Sequence, residues 1–345
     1  MQHEVTRRQP LLDIRGHIAE PGWARRLVWQ YNRENIKRNK LRIKEWDYYL
    51  VQNEEFGMAF TLSDMGYVSM MSVSFLDFVN NSYITKSEMK PLSLGRVGLS
   101  KDSSEDNVVD MKTKKMHLRY TVKSGKRRIQ CTFKKFDGMN DLKADIMLDN
   151  APEESMCIAT PWKEKPTAFY YNQKINCMRA RGGCTIGNKS YRYDPDTDFG
   201  ILDWGRGTWT YDNTWFWGIG NTWYEGKPLG FNLGYGFSDR SSASENVIVY
   251  DGRIHKLEDV WFDIPTYDNG DRIFMDPWQI TSSDGRFEMD FIPMFDRRDY
   301  INLGPVRSDQ HQIFGRMSGT MILDDGKKIE IHDLICGVEV IHNKY

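Results

Sequence analysis

The sequence predicts an all-β protein composed of two antiparallel barrel halves, preceded by a short helical N-terminal arm. Three observations support this prediction. The 345 residues include 17 Tyr, 17 Phe, 11 Trp and 28 Gly, which is typical of many short strands joined by tight turns. From Glu45 onward, short runs rich in β-branched and aromatic residues follow one another in the pattern of strands. Glycine-containing turns separate several of these runs.

The glycine-containing turns also predict how neighbouring strands pair. Gly125, Gly285 and Gly326 each follow a polar residue between two strand-like runs, at a position where a hairpin turn needs a positive φ angle. Consecutive hairpins give an antiparallel sheet whose strands are neighbours in sequence order. This is the topology of up-and-down barrels.

Short internal matches indicate that the two halves are related by duplication. Three segments of the first half are matched in the same order by three segments of the second half. The matched pairs are 46–48 with 215–217, 130–132 with 279–281, and 142–147 with 287–292. The matches predict a similar order of strands in both halves.

The N-terminal segment differs in character from the rest of the chain. Residues 1–45 are polar and basic, and the run from Trp29 to Lys44 has a helix-like pattern. We therefore predict an extended arm with one short helix over 1–45, a first barrel half over 46–200 and a second over 201–345.

Composition and spacing argue against several functional classes. The 47 basic and 48 acidic side chains nearly cancel, so no overall charge attracts the chain to nucleic acid. The five cysteines form no CxxC pair and the seven histidines no HxH or HExxH spacing, so we expect no disulfide framework, metal site or cofactor. No apolar run approaches the roughly 20 residues of a membrane span, and no signal peptide is evident near Met1. We expect a cytoplasmic protein.

Two basic runs leave open a transient contact with a membrane surface. They cover 112–115 and 123–128, on either side of one predicted strand. Such charges attract acidic lipid headgroups, but they also protect a solvated hairpin edge from aggregation. The oligomeric state is likewise left open by the sequence.

The densest aromatic segment predicts a ligand pocket. Five of the eleven tryptophans lie between Asp203 and Trp223, among few polar groups and several glycines. Aromatic walls with few polar groups are typical of sites for small apolar ligands. The alternative is an aromatic core in which Asp203 and Arg206 form a simple ion pair. The candidate ligand-binding residues are Trp204, Arg206, Trp209, Tyr211, Trp215 and Trp217.

Three carboxylates are candidates for a catalytic acid. Asp203 and Asp212 flank the aromatic segment, and Glu339 interrupts a strongly apolar strand near the C terminus. If Glu339 faces the barrel interior, desolvation would raise its pKa and keep it protonated at neutral pH. If it faces solvent, it has no such role, and charged residues in strands usually face solvent.

Four segments resemble signature stretches of a known family. They begin at Pro10, Lys44, Asp203 and Asp324, and the resemblance extends over nearly the whole chain. The family is a bacterial domain of unknown function, distantly similar to the lipocalin-like superfamily of carotenoid 1,2-hydratases and fungal Diels–Alder cyclases. The resemblance implies two lipocalin-like antiparallel barrel halves and an apolar ligand, often an isoprenoid or a lipid.

The resemblance does not transfer a complete catalytic set. The hydratases are associated with a His, Trp, Tyr and Asp constellation. The aromatic segment supplies Asp203, Trp204 and Tyr211 but no adjacent histidine. Only a candidate pocket is therefore carried over to this chain.

Two main functions remain in competition at this point. A third, glycan processing, is also open, because tryptophan faces stack on sugars and paired carboxylates such as Asp212 and Asp239 are present. In the first, the pocket binds an isoprenoid, polyene or lipid, and a carboxylic acid protonates a double bond while tryptophan faces stabilise the cation during hydration or cyclisation. In the second, the same pocket serves a non-catalytic lipid carrier. Only the first function requires a buried acid that holds a proton.

Overall fold

The fold was determined as a computed structural model that describes residues 2–302 and 304–345. Nearly all of its regular structure is β, as predicted. The strands of the arm and of the first half are Gln9–Pro10 (β1), Gly22–Ala24 (β2), Trp29–Gln30 (β3), Ile43–Gln52 (β4), Phe56–Asp64 (β5), Val68–Asp77 (β6), Ser82–Pro91 (β7), Asn107–Lys112 (β8), Met116–Lys123 (β9), Lys126–Phe133 (β10), Leu142–Asp149 (β11), Met156–Trp162 (β12), Lys165–Ile186 (β13), Lys189–Tyr193 (β14) and Phe199–Thr208 (β15).

The second half contains the remaining strands. They are Asp212–Tyr224 (β16), Lys227–Tyr235 (β17), Val247–Tyr250 (β18), Arg253–Lys256 (β19), Val260–Asp263 (β20), Trp278–Ser282 (β21), Phe287–Asn302 (β22), Arg307–Ile322 (β23) and Lys328–Lys344 (β24). The predicted turn glycines Gly125, Gly285 and Gly326 all have positive φ angles and connect hairpins.

Both halves fold into curled antiparallel sheets with the same strand order. The first sheet runs β7-β6-β5-β4-β15-β13-β11-β10-β9-β8, with β12 and β14 paired to β13 and with β2 paired to β12. The second runs β19-β18-β17-β16-β24-β23-β22-β21-β20. In each sheet the first long strand, β4 or β16, pairs with the last strand, β15 or β24. Each sheet is therefore a half-barrel in which sequence-distant strands meet at the centre.

The internal matches of the sequence fall on equivalent strands. The first pair lies on β4 and β16, the second on β10 and β21, and the third on β11 and β22. These strands occupy the same positions in the two sheet orders. The duplication is thus visible in the topology.

The helix expected in the N-terminal arm does not form. The arm contains the 3₁₀ turns Arg33–Asn35 and Lys40–Arg42 instead, and β4 begins directly after the second turn. The side chains of Asn32 and Asn39 accept hydrogen bonds from the backbone N–H groups of Glu34 and Leu41. Asparagine competes with the helical backbone in this way, so it favours short capped turns over a continuous helix.

The central strands are buried on both faces because the half-barrels pack against each other. One face of each sheet encloses the apolar core of its own half. Trp204 belongs to the core of the first half and Phe231 to that of the second. The other face meets the opposite half in two mixed clusters, one of which joins Ile201 to Phe314. This arrangement explains why β15 is buried along its whole length.

Candidate functional site

A cavity of about 190 Å³ lies between the two half-barrels. The interior of the first half-barrel is filled by side chains, including the fully buried Trp204 and Arg206, so the ligand space is at the junction instead. The cavity is lined by Trp46, Tyr48, Thr61, Met65, Met70, Tyr170, Lys174, Asp203, Trp209, Trp215, Trp217, Phe237, Glu245, Arg297, Gln310, Gln312, Glu339, Ile341, Asn343 and Tyr345.

Strand alternation divides the predicted residues of β15 between two environments. Asp203 faces the cavity, as does Trp209 just beyond the strand. Trp204 and Arg206 point to the opposite face, into the first half-barrel, where the Arg206 guanidinium stacks on the Trp204 ring at 4.1 Å. Because successive side chains of a strand point to opposite faces, Asp203 and Arg206 cannot form the ion pair considered from the sequence.

Trp215 and Trp217 share one face of β16, as the alternation in the sequence predicts, and both line the cavity. Phe216 packs against the core of the second half. The Trp217 ring meets Tyr48 edge-on at 5.9 Å, and the Trp209 ring lies between Trp46 and Trp215 in two further edge-on contacts. These rings form a continuous aromatic wall with contributions from both halves.

Tyr211 and Asp212 lie outside the cavity. The Tyr211 hydroxyl donates a hydrogen bond to the Pro305 carbonyl at the surface. Asp212 is an exposed carboxylate paired with His342 and Lys344, which lower its pKa.

Two rows of cross-strand partners face each other across the cavity. In the first sheet, the row crosses β13, β15, β4 and β5 through Lys174, Asp203, Tyr48 and Thr61. In the second sheet, the row crosses β22, β23, β24 and β16 through Arg297, Gln312, Glu339 and Trp217. Direct partners in a sheet point to the same face, so each row presents its side chains together.

The duplication places equivalent residues at the centre of each row. Asp203 on β15 corresponds to Glu339 on β24, since each strand is the last of its half and pairs with the first. Tyr48 on β4 likewise corresponds to Trp217 on β16. Each half therefore places one carboxyl group and one large aromatic ring at the centre of its row, but the surroundings of these two carboxyl groups differ.

The hydrogen-bond donors to Glu339 are neutral side chains. One of its oxygens accepts a hydrogen bond from Trp215 Nε1 at 2.9 Å and the other from Gln312 Nε2 at 3.1 Å. Burial raises the pKa of the Glu339 carboxyl from 4.5 to about 7 against the opposing effects of the Trp215 hydrogen bond and the Lys174 charge. The side chain can therefore hold a proton near neutral pH.

Asp203 is held in a charged cluster. Its oxygens contact Lys174 Nζ at 2.8 Å and Asn172 Nδ2 at 2.6 Å, and Lys174 Nζ also lies 3.6 Å from Glu245. Burial by itself would lower the pKa of Lys174, but the attraction of Asp203 and Glu245 outweighs it and raises that pKa above 10.5. The cluster thus combines one ammonium group with two carboxylates.

The raised pKa of Glu339 predicts a specific pH dependence of stability. Between pH 4.5 and about 7 the folded state binds this proton more tightly than the unfolded state. The free energy of unfolding should therefore fall as pH rises through that interval, by on the order of 2 kcal/mol, and Glu339→Gln should remove this contribution.

Urea denaturation at intervals from pH 4.5 to 8 measures the effect. We expect Glu339→Gln to gain stability relative to the parent as pH increases, while the surface variant Asp251→Asn, which changes a carboxylate paired with Lys227, shows no such relative gain. If the free energies of unfolding of the parent and of Glu339→Gln changed in parallel with pH, the pKa of the Glu339 carboxyl would not be raised by folding.

Several cavity residues were not found from the sequence. Lys174, Glu245 and Arg297 lie in different strands or loops, and no local pattern joins them. A usable signal did exist for Trp46 and Tyr48, because they are the members of the internal repeat that match Trp215 and Trp217. Assigning the pocket residues Trp215 and Trp217 to their matched positions in the first half would have identified Trp46 and Tyr48.

Gly205 is required for the position of Trp46. The two residues are direct partners across β15 and β4. A Cβ atom at position 205 would lie 1.9 Å from Trp46 Cζ2, so the indole ring occupies the space that any other side chain would fill. The glycine lets an aromatic ring lie flat on the sheet at the cavity wall.

The described residues give no indication of a metal site or a membrane-spanning helix. No group of three or more His, Cys, Asp or Glu side chains among them is arranged to hold a metal ion. None of their helices is long and apolar enough to cross a membrane. Each of the five cysteines is a buried free thiol.

Comparison with known proteins identifies the family. The model of a domain of unknown function, DUF2804, matches residues 2–345. The chain belongs to the DUF2804 family. This confirms the membership in a family of unknown function that the four signature segments indicate. None of the curated proteins matches this DUF2804 protein in sequence.

Two solved structures are similar to this DUF2804 protein. Kievitone hydratase from Nectria haematococca shares 11% identity at a TM-score of 0.49, with 88% of each chain covered. A Nitrosomonas europaea protein provisionally assigned as AttH shares 10% identity at a TM-score of 0.51, with 97% of this chain and 99% of that chain covered. The second comparison shows a common fold over almost the whole length.

Proposed function

We propose that this DUF2804 protein binds an apolar ligand of the isoprenoid, polyene or lipid class in the cavity between its half-barrels and adds water to a double bond of that ligand. Glu339 is the proton donor. The observation that carries the proposal is this carboxyl group, whose pKa burial raises to about 7, on a cavity wall rich in aromatic side chains. A carrier has no need for such a group, whereas alkene protonation requires one.

The hydration uses residues of both halves. Glu339 transfers its proton to one alkene carbon, and the positive charge on the other carbon is stabilised by the faces of neighbouring indole rings, at about 0.5–2 kcal/mol each. Water then adds to the cation, and the Asp203 carboxylate accepts the proton that the water releases. Exchange with solvent removes this proton from Asp203 and returns one to Glu339, which restores both groups for the next turnover. The net change is the addition of H and OH across the double bond, with no oxidation or reduction.

The cavity volume restricts what part of the ligand can react. An engineered cavity of about 150 Å³ holds one benzene ring, so 190 Å³ accommodates a segment only slightly larger. A complete long-chain polyene or lipid does not fit. The end of such a chain, with its terminal double bond, does.

Water addition to a small alkene tests the proposal. The parent protein is incubated with 2-methyl-2-heptene in ¹⁸O-labelled water at pH 6.5, and the labelled tertiary alcohol is measured by mass spectrometry. Glu339→Gln keeps the shape of the side chain but has no proton to donate, so its rate should fall by about 10²-fold or more. Asp212→Asn, a carboxylate change outside the cavity, should keep the parent rate.

Binding measured in parallel separates the two candidate functions. Quenching of tryptophan emission reports alkene binding by the parent and by Glu339→Gln. Saturable binding without alcohol formation by the parent would contradict hydration and support the carrier. Loss of turnover in Glu339→Gln with unchanged binding would support the role of Glu339 as acid.

A further inference from the structure

We propose that the ligand segment held in the cavity carries an uncharged hydroxyl group, which forms hydrogen bonds with the Gln312 side-chain amide. This inference rests on the proposed function and adds the chemical class of the ligand to it. A pure hydrocarbon would leave polar atoms of the cavity wall without partners. The following observations carry the inference.

The Gln312 amide lies at the centre of the cavity wall and is only partly satisfied. Its Nε2 atom is 3.1 Å from Glu339 Oε2 and 3.4 Å from Tyr48 Oη, both of which line the cavity. The residue is only 4% exposed, and its Oε1 atom has no hydrogen-bond partner within 2–302 and 304–345. If the amide is rotated by 180°, Oε1 and Nε2 exchange places, and the NH₂ group then occupies the position that has no hydrogen-bond partner.

The ambiguity of the amide favours a hydroxyl over other polar groups. A hydroxyl group both donates and accepts hydrogen bonds, so it satisfies the free position of Gln312 in either orientation. A carbonyl or ether oxygen can only accept.

Two other lining residues repeat the pattern. Asn343 is 4% exposed and donates through Nδ2 to Tyr345 Oη, while its Oδ1 atom has no partner in the described part of the chain. Trp209 is 5% exposed, and its Nε1 atom also lacks a partner there. Buried polar groups in proteins are nearly always hydrogen-bonded, so three unpartnered polar atoms on residues of one cavity wall indicate a ligand that supplies polar atoms.

The charges of the wall favour a neutral ligand. The Lys174 ammonium is engaged by Asp203 and Glu245, and Arg297 Nη1 donates to Ser74 Oγ at 2.9 Å. Lys174 and Arg297 together balance the carboxylates of Asp203 and Glu245, and the third carboxyl group, that of Glu339, is neutral when it holds its proton. A carboxylate or ammonium group on the ligand would disturb this balance, whereas a hydroxyl group would not.

A matched pair of probes tests the inference. 4-Ethylphenol and 4-ethyltoluene have nearly the same shape and differ by OH in place of CH₃. We expect 4-ethylphenol to bind the parent protein at pH 6 at least about tenfold more tightly, because only it satisfies the Gln312 amide. Isothermal titration calorimetry measures both dissociation constants, and 4-ethylbenzoate serves as an anionic third probe.

Variants identify the residue responsible. Gln312→Leu should reduce the preference for 4-ethylphenol to less than about threefold while it retains 4-ethyltoluene binding. Gln279→Leu changes an exposed glutamine paired with Asp290 and should keep the full preference.

The outcomes distinguish failure of this inference from failure of the proposed function. Equal binding of the two neutral probes, or tightest binding of 4-ethylbenzoate, would overturn the hydroxyl assignment but leave the apolar cavity in place. A preference that survives in Gln312→Leu would overturn the role of that residue. Absence of binding by all three probes would overturn both proposals.

Discussion

Replacing Arg206 by methionine is expected to lower the free energy of unfolding by about 3–5 kcal/mol, a large part of the stability of a typical domain. The Arg206 side chain is fully buried, and its Nη2 lies 2.9 Å from Asp47 Oδ1. It also donates to the carbonyl groups of Ser100 and Trp46. Removing the guanidinium leaves the Asp47 carboxylate buried without its counter-charge.

Urea denaturation of Arg206→Met and two companions tests this expectation. Burial already raises the pKa of Asp47 even with Arg206 in place, so the double variant Arg206→Met/Asp47→Asn, which removes the stranded charge, should regain part of the loss. Lys227→Met breaks an exposed pair with Asp251 and should cost far less stability than Arg206→Met. Similar costs for Arg206→Met and Lys227→Met would show that the buried pair contributes little.

Replacing Trp217 by alanine is expected to cost about 3–5 kcal/mol of stability as well as ligand binding. A ring that lined the cavity without packing into a core would cost less stability when removed. Trp217 is 4% exposed, its Nε1 donates to Asn232 Oδ1 at 2.7 Å, and Lys174 Nζ lies 4.6 Å from the ring centre. It belongs both to the cavity wall and to the core between the halves.

The adjacent Trp215 provides the matched comparison. Trp215 is only partly buried, so Trp215→Ala should cost less, about 1–2 kcal/mol, while it still removes a ring from the cavity wall. Thermal and urea unfolding of both variants measure the difference. Trp217→Phe keeps an aromatic ring and should retain most of the stability. Equal losses for Trp215→Ala and Trp217→Ala would contradict the dual role of Trp217.

Part of the candidate site was accessible from the sequence because aromatic clustering is a local property. Asp203, Trp209, Trp215, Trp217 and Glu339 were all selected there, and all line the cavity. Four other selected residues, Trp204, Arg206, Tyr211 and Asp212, lie outside it. The alternation of side chains along β15 places Trp204 and Arg206 on the face opposite to Asp203. Once one face is known to meet the cavity, this alternation is sufficient to exclude the residues of the other face.

The local sequence pattern does not decide whether the Glu339 side chain faces solvent or the protein interior. In the sequence, a charged residue between Val338 and Val340 is compatible with solvent or with an interior, and solvent is the commoner environment. Over residues 334–341 both faces of β24 are covered in this fold, because one encloses the core of the second half and the other meets the first half. The carboxyl group therefore faces the cavity.

The sequence by itself determined the all-β class, the hairpin turns, the duplication and the family, because these depend on alternation, on glycine at positive φ angles and on local residue patterns. Only the tertiary structure decided that the cavity lies between the half-barrels and that Lys174, Gln312 and Arg297 line it. The physical reason is that strand pairing joins residues far apart in sequence. The docking of the two sheets then determines which faces meet, and no local pattern carries that information.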